Sequence, residues 1–432
     1  MLSIQKSIVL LSLSVSCTEA TILHKEARPV DPKTVSSGER SPEEWDVDFP
    51  AGADLAIILD VLDVPIVDGQ STDLNGHSLF PEAWLTAVSD AYEQTDVGDA
   101  IARENYYDQW RLVSVRVSPC APIGIQPDVA MDTWCWPTVR LVWQPIVSDL
   151  RLPWGTFTDY YADDRAIHAI YPVVPRGLNG ERIDGSWREV VTEYLLEGKD
   201  PSALPNRMKS GFMAVRDTSA KAVLNAVHSL RDPTAAYGSY DDIKLRPELI
   251  NGTDPDGLFA HRLRSFLGEF APWNDLQEMT SFSLPEGRNP AGSDIWVFVG
   301  FDGNSGFPQL KELTVTGRFS GDELVNIGPS QTVAMGVEDT VVQEAIERGN
   351  QELDDSLIID GEDIETLGPD MADPYEFLVP NTSCASCHRL NGLRFDFHSL
   401  SGFEDRGITI SPRVNKDVAR DLIWTRSQFG IR

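Results

Sequence analysis

The sequence predicts an α+β fold: a β-rich main domain with a central helical section, followed by a small C-terminal segment of a different kind. Three observations predict it. Val- and Ile-rich runs of period two, bounded by Gly, Pro, Asp or Asn, lie early and late in residues 50–336. Three amphipathic stretches of helical period lie between them. The order of strands, then helices, then strands is not the alternation that builds a parallel doubly wound sheet, and no unit recurs at a fixed period. At 432 residues the chain is long enough for two or three domains.

Residues 1–17 read as a secretory signal: Lys6 precedes an apolar stretch from Ile8 to Val15, and Ser16-Cys17 makes a small-residue exit. The apolar core is too short to span a bilayer. Ser14-Val15-Ser16-Cys17 is also similar to a bacterial lipoprotein signal, in which a small residue precedes a lipid-modified Cys. It departs from that pattern at Ser14, because the expected Leu sits one position early, at Leu13. Two outcomes stay open: a lipid anchor at Cys17, or cleavage after Ser16 without one. Residues 18–49 then form a flexible lead-in, poor in apolar side chains.

Leu55–Ile66 is the first strand candidate. Arg111–Ser118 places Val113, Val115 and Val117 on one face, and Thr138–Gln144 places Val139, Leu141 and Trp143 on one face. His168–Val174, Ile295–Phe301 and Glu312–Phe319 complete the set, and Asp302–Gly306 (DGNSG) is a turn signal that should stop the Ile295 strand near Phe301. Of the five cysteines, Cys17 belongs to the signal and two belong to a motif near the C-terminus, which leaves Cys120 and Cys135. Each lies just beyond the end of its strand, at the base of the intervening loop. An exported protein permits a disulfide there. Closing a loop of about 15 residues would stabilise by roughly 3 kcal/mol in the chain-entropy view. The alternative is two buried thiols.

The helices are Trp187–Gly198, Met208–Leu230 and Leu258–Phe270. Asp163-Asp164-Arg165 and His168 make a polar cluster beside a strand, which reads as a loop ion pair with a hydrogen-bonded His. The DGNSG and DPDG turns carry oxygens suited to Ca2+, but neither completes a ligand loop. Residues 337–373 are an acidic linker, and residues 374–432 form the C-terminal segment.

That segment holds Cys384-Ala385-Ser386-Cys387-His388. Two residues between the cysteines place both sulfurs against one edge of a porphyrin, where they add to its two vinyl groups. The next residue, His388, then points at the iron. A thioredoxin-like redox pair would follow a strand and open a helix, and a zinc site needs a second ligand pair. Phe377–Arg389 (FLVPNTSCASCHR) resembles the haem-attachment stretch of bacterial c-type cytochromes, including cytochrome domains appended to larger exported proteins. The resemblance implies one covalent haem c per chain, held by Cys384, Cys387 and His388. It covers the C-terminal segment only and does not reach residues 50–330.

Small cytochromes of that kind use a downstream Met as the sixth iron ligand, and no Met follows Met371 here. His398 is the lead candidate, as a second metal ligand beside His388. Met371, Met335 and an open sixth position are the alternatives. Arg389 and Arg394 are candidate partners of the haem propionates, since guanidinium pairs bidentately with carboxylate. Phe395, Phe397 and Phe403 are candidate packing residues.

Charge narrows the partners. The chain has 67 acidic and 36 basic residues, a net charge of -31. Such a surface is repelled by nucleic acid and anionic lipid, which leaves membrane contact only through a Cys17 anchor. A redox partner, if basic, is attracted. No GxSxG, HExxH or P-loop string occurs, and a single CxxCH does not make a dihaem peroxidase. The resemblance therefore implies an exported monohaem c-type cytochrome of a bacterium, periplasmic or an outer-membrane lipoprotein. It would be an electron-transfer protein rather than an enzyme in its own right. The alternative is a haem-dependent oxidoreductase, or a gas or ligand sensor whose main domain binds substrate or partner.

Overall fold

A computed structural model of the chain describes residues 45, 48–59, 65–93, 107–123, 133–152, 155–162, 166–175, 186–196, 199–250, 254–283, 295–304, 306–312, 316–320, 323–326 and 412–431. In chain order the elements are a helical turn α1 (Gly52–Leu55), β1 (Ala56–Ile58), α2 (Glu82–Glu93), β2 (Trp110–Pro122), β3 (Cys135–Leu152), β4 (Gly155–Ala162) and β5 (Ala166–Pro172). Helices α3 (Ser186–Leu196), α4 (Asn206–His228) and α5 (Leu258–Phe270) follow. Then come β6 (Glu278–Ser283), β7 (Ile295–Asn304), β8 (Phe307–Glu312), β9 (Thr316–Ser320), β10 (Glu323–Asn326) and a last helix, α6 (Pro412–Phe429). The architecture is α+β. One antiparallel sheet runs in the order β1-β2-β3-β5-β6-β7-β9-β10, with β4 paired to β3 and β8 to β7.

The alternation read in the sequence sets the core. Register puts Val117 opposite Val139 and Val115 opposite Leu141, then Tyr171, Ala169 and Ile167 opposite Val139, Leu141 and Trp143.

 Ala169 in turn faces Met279, and Met279 faces Phe301. All of these side chains are buried and make one continuous apolar face. Just before α2, Phe80 stacks on Trp143 with ring centroids 4.6 Å apart, and the Trp84 Nε1–H donates to the Gly306 carbonyl at 3.0 Å. Val223, Leu224 and Val227 of α4, with Leu263 and Leu267 of α5, complete the same cluster. The end of the expected lead-in also belongs to the fold. Trp45 and Phe49 are buried, and the Trp45 Nε1–H donates to Asn225 at 2.7 Å.

The structure revises several element boundaries. The first strand keeps only Ala56–Ile58 of the expected Leu55–Ile66, because Gly52–Leu55 turns as a helix; residues 60–64 lie outside the described residues. The β7 strand runs on to Asn304 instead of stopping near Phe301, because Asp302 and Asn304 stay in the ladder opposite Gln309 and Phe307. The turn is confined to the residues around Gly306, whose φ of 83° suits glycine. In place of one strand over Glu312–Phe319, β8 ends at Glu312 and β9 begins at Thr316. Strands β4, β6, β8 and β10, and helices α2 and α6, were not expected. Helices α3, α4 and α5 lie where periodicity puts them, α5 with the expected bounds.

Cys120 and Cys135 form a disulfide, with Cα atoms 4.9 Å apart. They lie within β2 and at the first residue of β3, not beyond the strand ends. A bulge explains this. Between Ser118–Thr138 and Ala121–Trp136 the register slips, so Pro119 and Cys120 face the single residue Pro137. Neither proline can donate to the ladder. The strands continue past this break, and the S–S bond ties them there.

Candidate functional site

The C-terminal segment contributes one described element, α6. Pro412 opens it at a position where a missing N–H costs nothing. Val414, Val418 and Leu422 recur at helical spacing. Gly430, at φ 66°, ends it, and the Ile431 N–H closes back on the Arg426 carbonyl at 3.1 Å. The inward face carries Val418, Asp421, Trp424 and Thr425, all buried, whereas Ile423 points outward and is 64% exposed.

Asp421 is the centre of the contact with the sheet. It is fully buried. One carboxylate oxygen accepts from the Arg116 guanidinium of β2 at 2.5 Å and from the Ser118 hydroxyl at 2.6 Å. The other accepts from Arg420 at 3.3 Å. Arg116 also donates to the Leu55 carbonyl at 2.9 Å, and Arg420 to the Cys120 carbonyl at 3.4 Å. The Thr425 hydroxyl donates to the Asp421 carbonyl at 2.7 Å. Charge-assisted bonds of this kind are strong because both partners are withdrawn from water.

The disulfide adjoins this joint. Cys120, Cys135, Ala220 of α4 and Trp424 form one buried cluster. The Arg216 guanidinium lies over the Trp424 ring, 5.3 Å from its centroid, and Gln428 donates to Asp217 at 2.9 Å. Phe429 meets Trp45 edge-on at 5.9 Å. Helix α6 therefore rests on β2, on α4 and on the start of the described fold.

A second buried carboxylate, Asp54, lies in α1. It accepts from Arg231 at 2.5 and 3.1 Å, and Arg246 lies 3.8 Å away. The two guanidiniums alternate with rings: Arg231 lies between Phe49 and Tyr240, and Arg246 between Tyr240 and Phe259. Asp48 completes the Arg231 pairing at 2.7 Å, and Glu248 the Arg246 pairing at 3.1 Å. Burial pushes the Asp48 carboxyl up, but the bond and charge of Arg231 outweigh it, leaving its pKa below the ordinary value. Glu248 is likewise held low, because Arg246 overcomes the cost of burial. Burial and the Glu248 carboxylate push the Tyr240 phenol up. Each charge in this network has a partner within it, which suits a structural role.

Cys384, Cys387, His388, Arg389, Arg394 and His398 lie outside the described residues, as do Met335, Met371, Phe395, Phe397, Phe403 and Cys17. So do Asp163, Asp164 and Arg165. His168 sits half-buried on β5, between Val142 and Thr280 on the neighbouring strands. Among the described residues no cluster of three or more His, Cys, Asp or Glu is arranged to hold a metal ion. Two thiols and an imidazole at the CxxCH spacing are the donor set that could hold a haem. Among the described residues no helix is long and apolar enough to cross a membrane. Sequence reasoning missed Asp421 and Arg116. The available signal was an acidic side chain on the apolar stripe of Val414, Val418 and Trp424, in a stretch opened by Pro412 and closed by Gly430.

No family model, curated protein or solved structure matches this chain.

Proposed function

We propose that the protein is an exported bacterial c-type cytochrome that carries electrons through one haem c, held by Cys384, Cys387 and His388. The observation that carries the reading is the CASCH string. Two further observations support it. The signal-like residues 1–17 suit export, which haem c attachment requires in bacteria, and a buried Cys120–Cys135 disulfide suits an oxidising compartment. When bound, haem c supplies one-electron chemistry. His388 and His398 would ligate its iron, and Arg389 and Arg394 would pair with its propionates. The proposed location is the periplasm, or the outer membrane through a lipid on Cys17. The proposed partner is a redox protein.

The missing downstream Met favours keeping a second reading, a haem-dependent oxidoreductase or a gas sensor with an open sixth position. Expression with haem c maturation machinery separates the readings. Haem should stay on the denatured chain, and the reduced spectrum should not change with CO. His398→Ala should then open the iron to CO. Ready CO binding by the unaltered protein would favour the second reading. A denatured chain without haem would refute both.

A further inference from the structure

The chain runs out of the sheet at one side and returns at the other. Strand β10 ends the strand order and finishes at Asn326, while α6 re-enters against β2, next to the opposite edge. Positions 327–411, with the CASCH string among them, join those two points. The string is thus followed, after positions 389–411, by an element packed on the main domain.

Charge points the same way. Residues 374–432 hold eight basic and six acidic side chains, which leaves 28 of the 36 basic and 61 of the 67 acidic residues to positions 1–373. A mildly basic segment is attracted by the strongly acidic body of its own chain. The attraction is not specific by itself. The specific part is the joint: a buried Asp421 between Arg116 and Arg420, Ser118 on the same oxygen as Arg116, and Trp424 against the disulfide.

We propose that α6 is an anchor that docks the C-terminal segment on the surface formed by β2, α4 and the disulfide, with Asp421 as its positioning residue. Taken with the cytochrome reading, on which this extension rests, the anchor keeps the haem beside the main domain.

The test nicks the full, haem-loaded chain with trypsin under native conditions and follows the fragments by gel filtration. Among the described residues, Cys120 and Cys135 bond each other, so neither ties the C-terminal fragment to the main domain. In the unaltered protein, a fragment that carries α6 should co-elute with the main domain. Asp421→Asn combined with Arg116→Gln removes both charges together and leaves neither buried alone. Retention of the fragment should then weaken by about tenfold or more. Trp424→Ala should weaken it as well, by removing the ring from the disulfide cluster. In the intact double variant tryptophan fluorescence should rise, because haem quenches by energy transfer that falls steeply with distance.

Separation of the fragment in the unaltered protein, or full retention in both variants, would overturn the anchor. Loss of the main domain's melting transition in both variants would also overturn it, since the domain would then need α6 in order to fold. Absence of haem from the denatured chain would refute the cytochrome reading alone, because fragment retention is read without haem.

Discussion

Asp54 and Asp421 are both fully buried carboxylates held by arginines, yet they tie different things together. Around Asp54, the partners Arg231 and Arg246 both come from the chain that follows α4, and three aromatic rings cover the guanidinium faces. That network closes the main domain on itself. Around Asp421, one arginine comes from the same helix and the other from β2, and a single ring, Trp424, lies under a third arginine, Arg216. This joint ties a helix remote in sequence to β2, and Val418 of that helix packs into the main core cluster. The same chemistry can thus serve as part of a core or as an attachment point. What decides is whether the partners are needed for the rest of the fold.

The largest effect should come from breaking the first network. Asp54→Ala leaves two buried guanidiniums short of a partner and should cost about 3–5 kcal/mol of global stability in urea unfolding. An equal global loss from the Asp421→Asn, Arg116→Gln pair would erase the contrast. Next, Cys120→Ser with Cys135→Ser should lower stability by roughly 3 kcal/mol through loop entropy. It should also loosen α6, since Trp424 shares a buried cluster with both cysteines.

Acid should act on the first network through a smaller, graded effect. Asp48 and Glu248 have folded pKa values below their unfolded ones. Their contribution is therefore complete above the unfolded carboxylate range of about 4, and is lost as pH falls below it through the folded values. Thermal melts from pH 6 to pH 2, a range chosen at roughly two units either side of that value, should show the decline in the parent and less of it in Asp48→Asn. The smallest effect should come from the outer face of α6: Ile423→Lys should shift stability by no more than about 0.5 kcal/mol and leave fragment retention unchanged.

How much of this was legible in the sequence depended on the physics of each element. The β2–β3 pair was readable because Val113, Val115, Val117, Val139, Leu141 and Trp143 bury one face at a period of two. Helix α5 was readable to its bounds because Ala260, Leu263, Phe266, Leu267 and Phe270 line a single stripe. Strand β6 was not, since Glu278–Ser283 is mostly polar and owes its place to neighbours on both sides that bury Met279 and Ser281. The CASCH string is read from spacing alone, and its residues lie outside the described residues. The α6 joint was hidden, because an aspartate on an apolar stripe becomes meaningful only when Arg116, some 300 residues earlier in the chain, is known to face it.

The bulge at Pro119, Cys120 and Pro137 has a consequence for how the hairpin opens. A two-strand ladder ordinarily frays from its tip inward, as each end pair lets go in turn. Here two prolines interrupt the ladder and the covalent bond sits beside the interruption, so the tip side and the sheet side become separate zippers. In amide hydrogen exchange, Val115 and Val139 should keep the slow exchange of the global transition, while Ile123, on the tip side, exchanges early. Cleaving the sulfur bridge should let the early exchange spread inward as far as the first pairs below the prolines, Ser118 and Thr138.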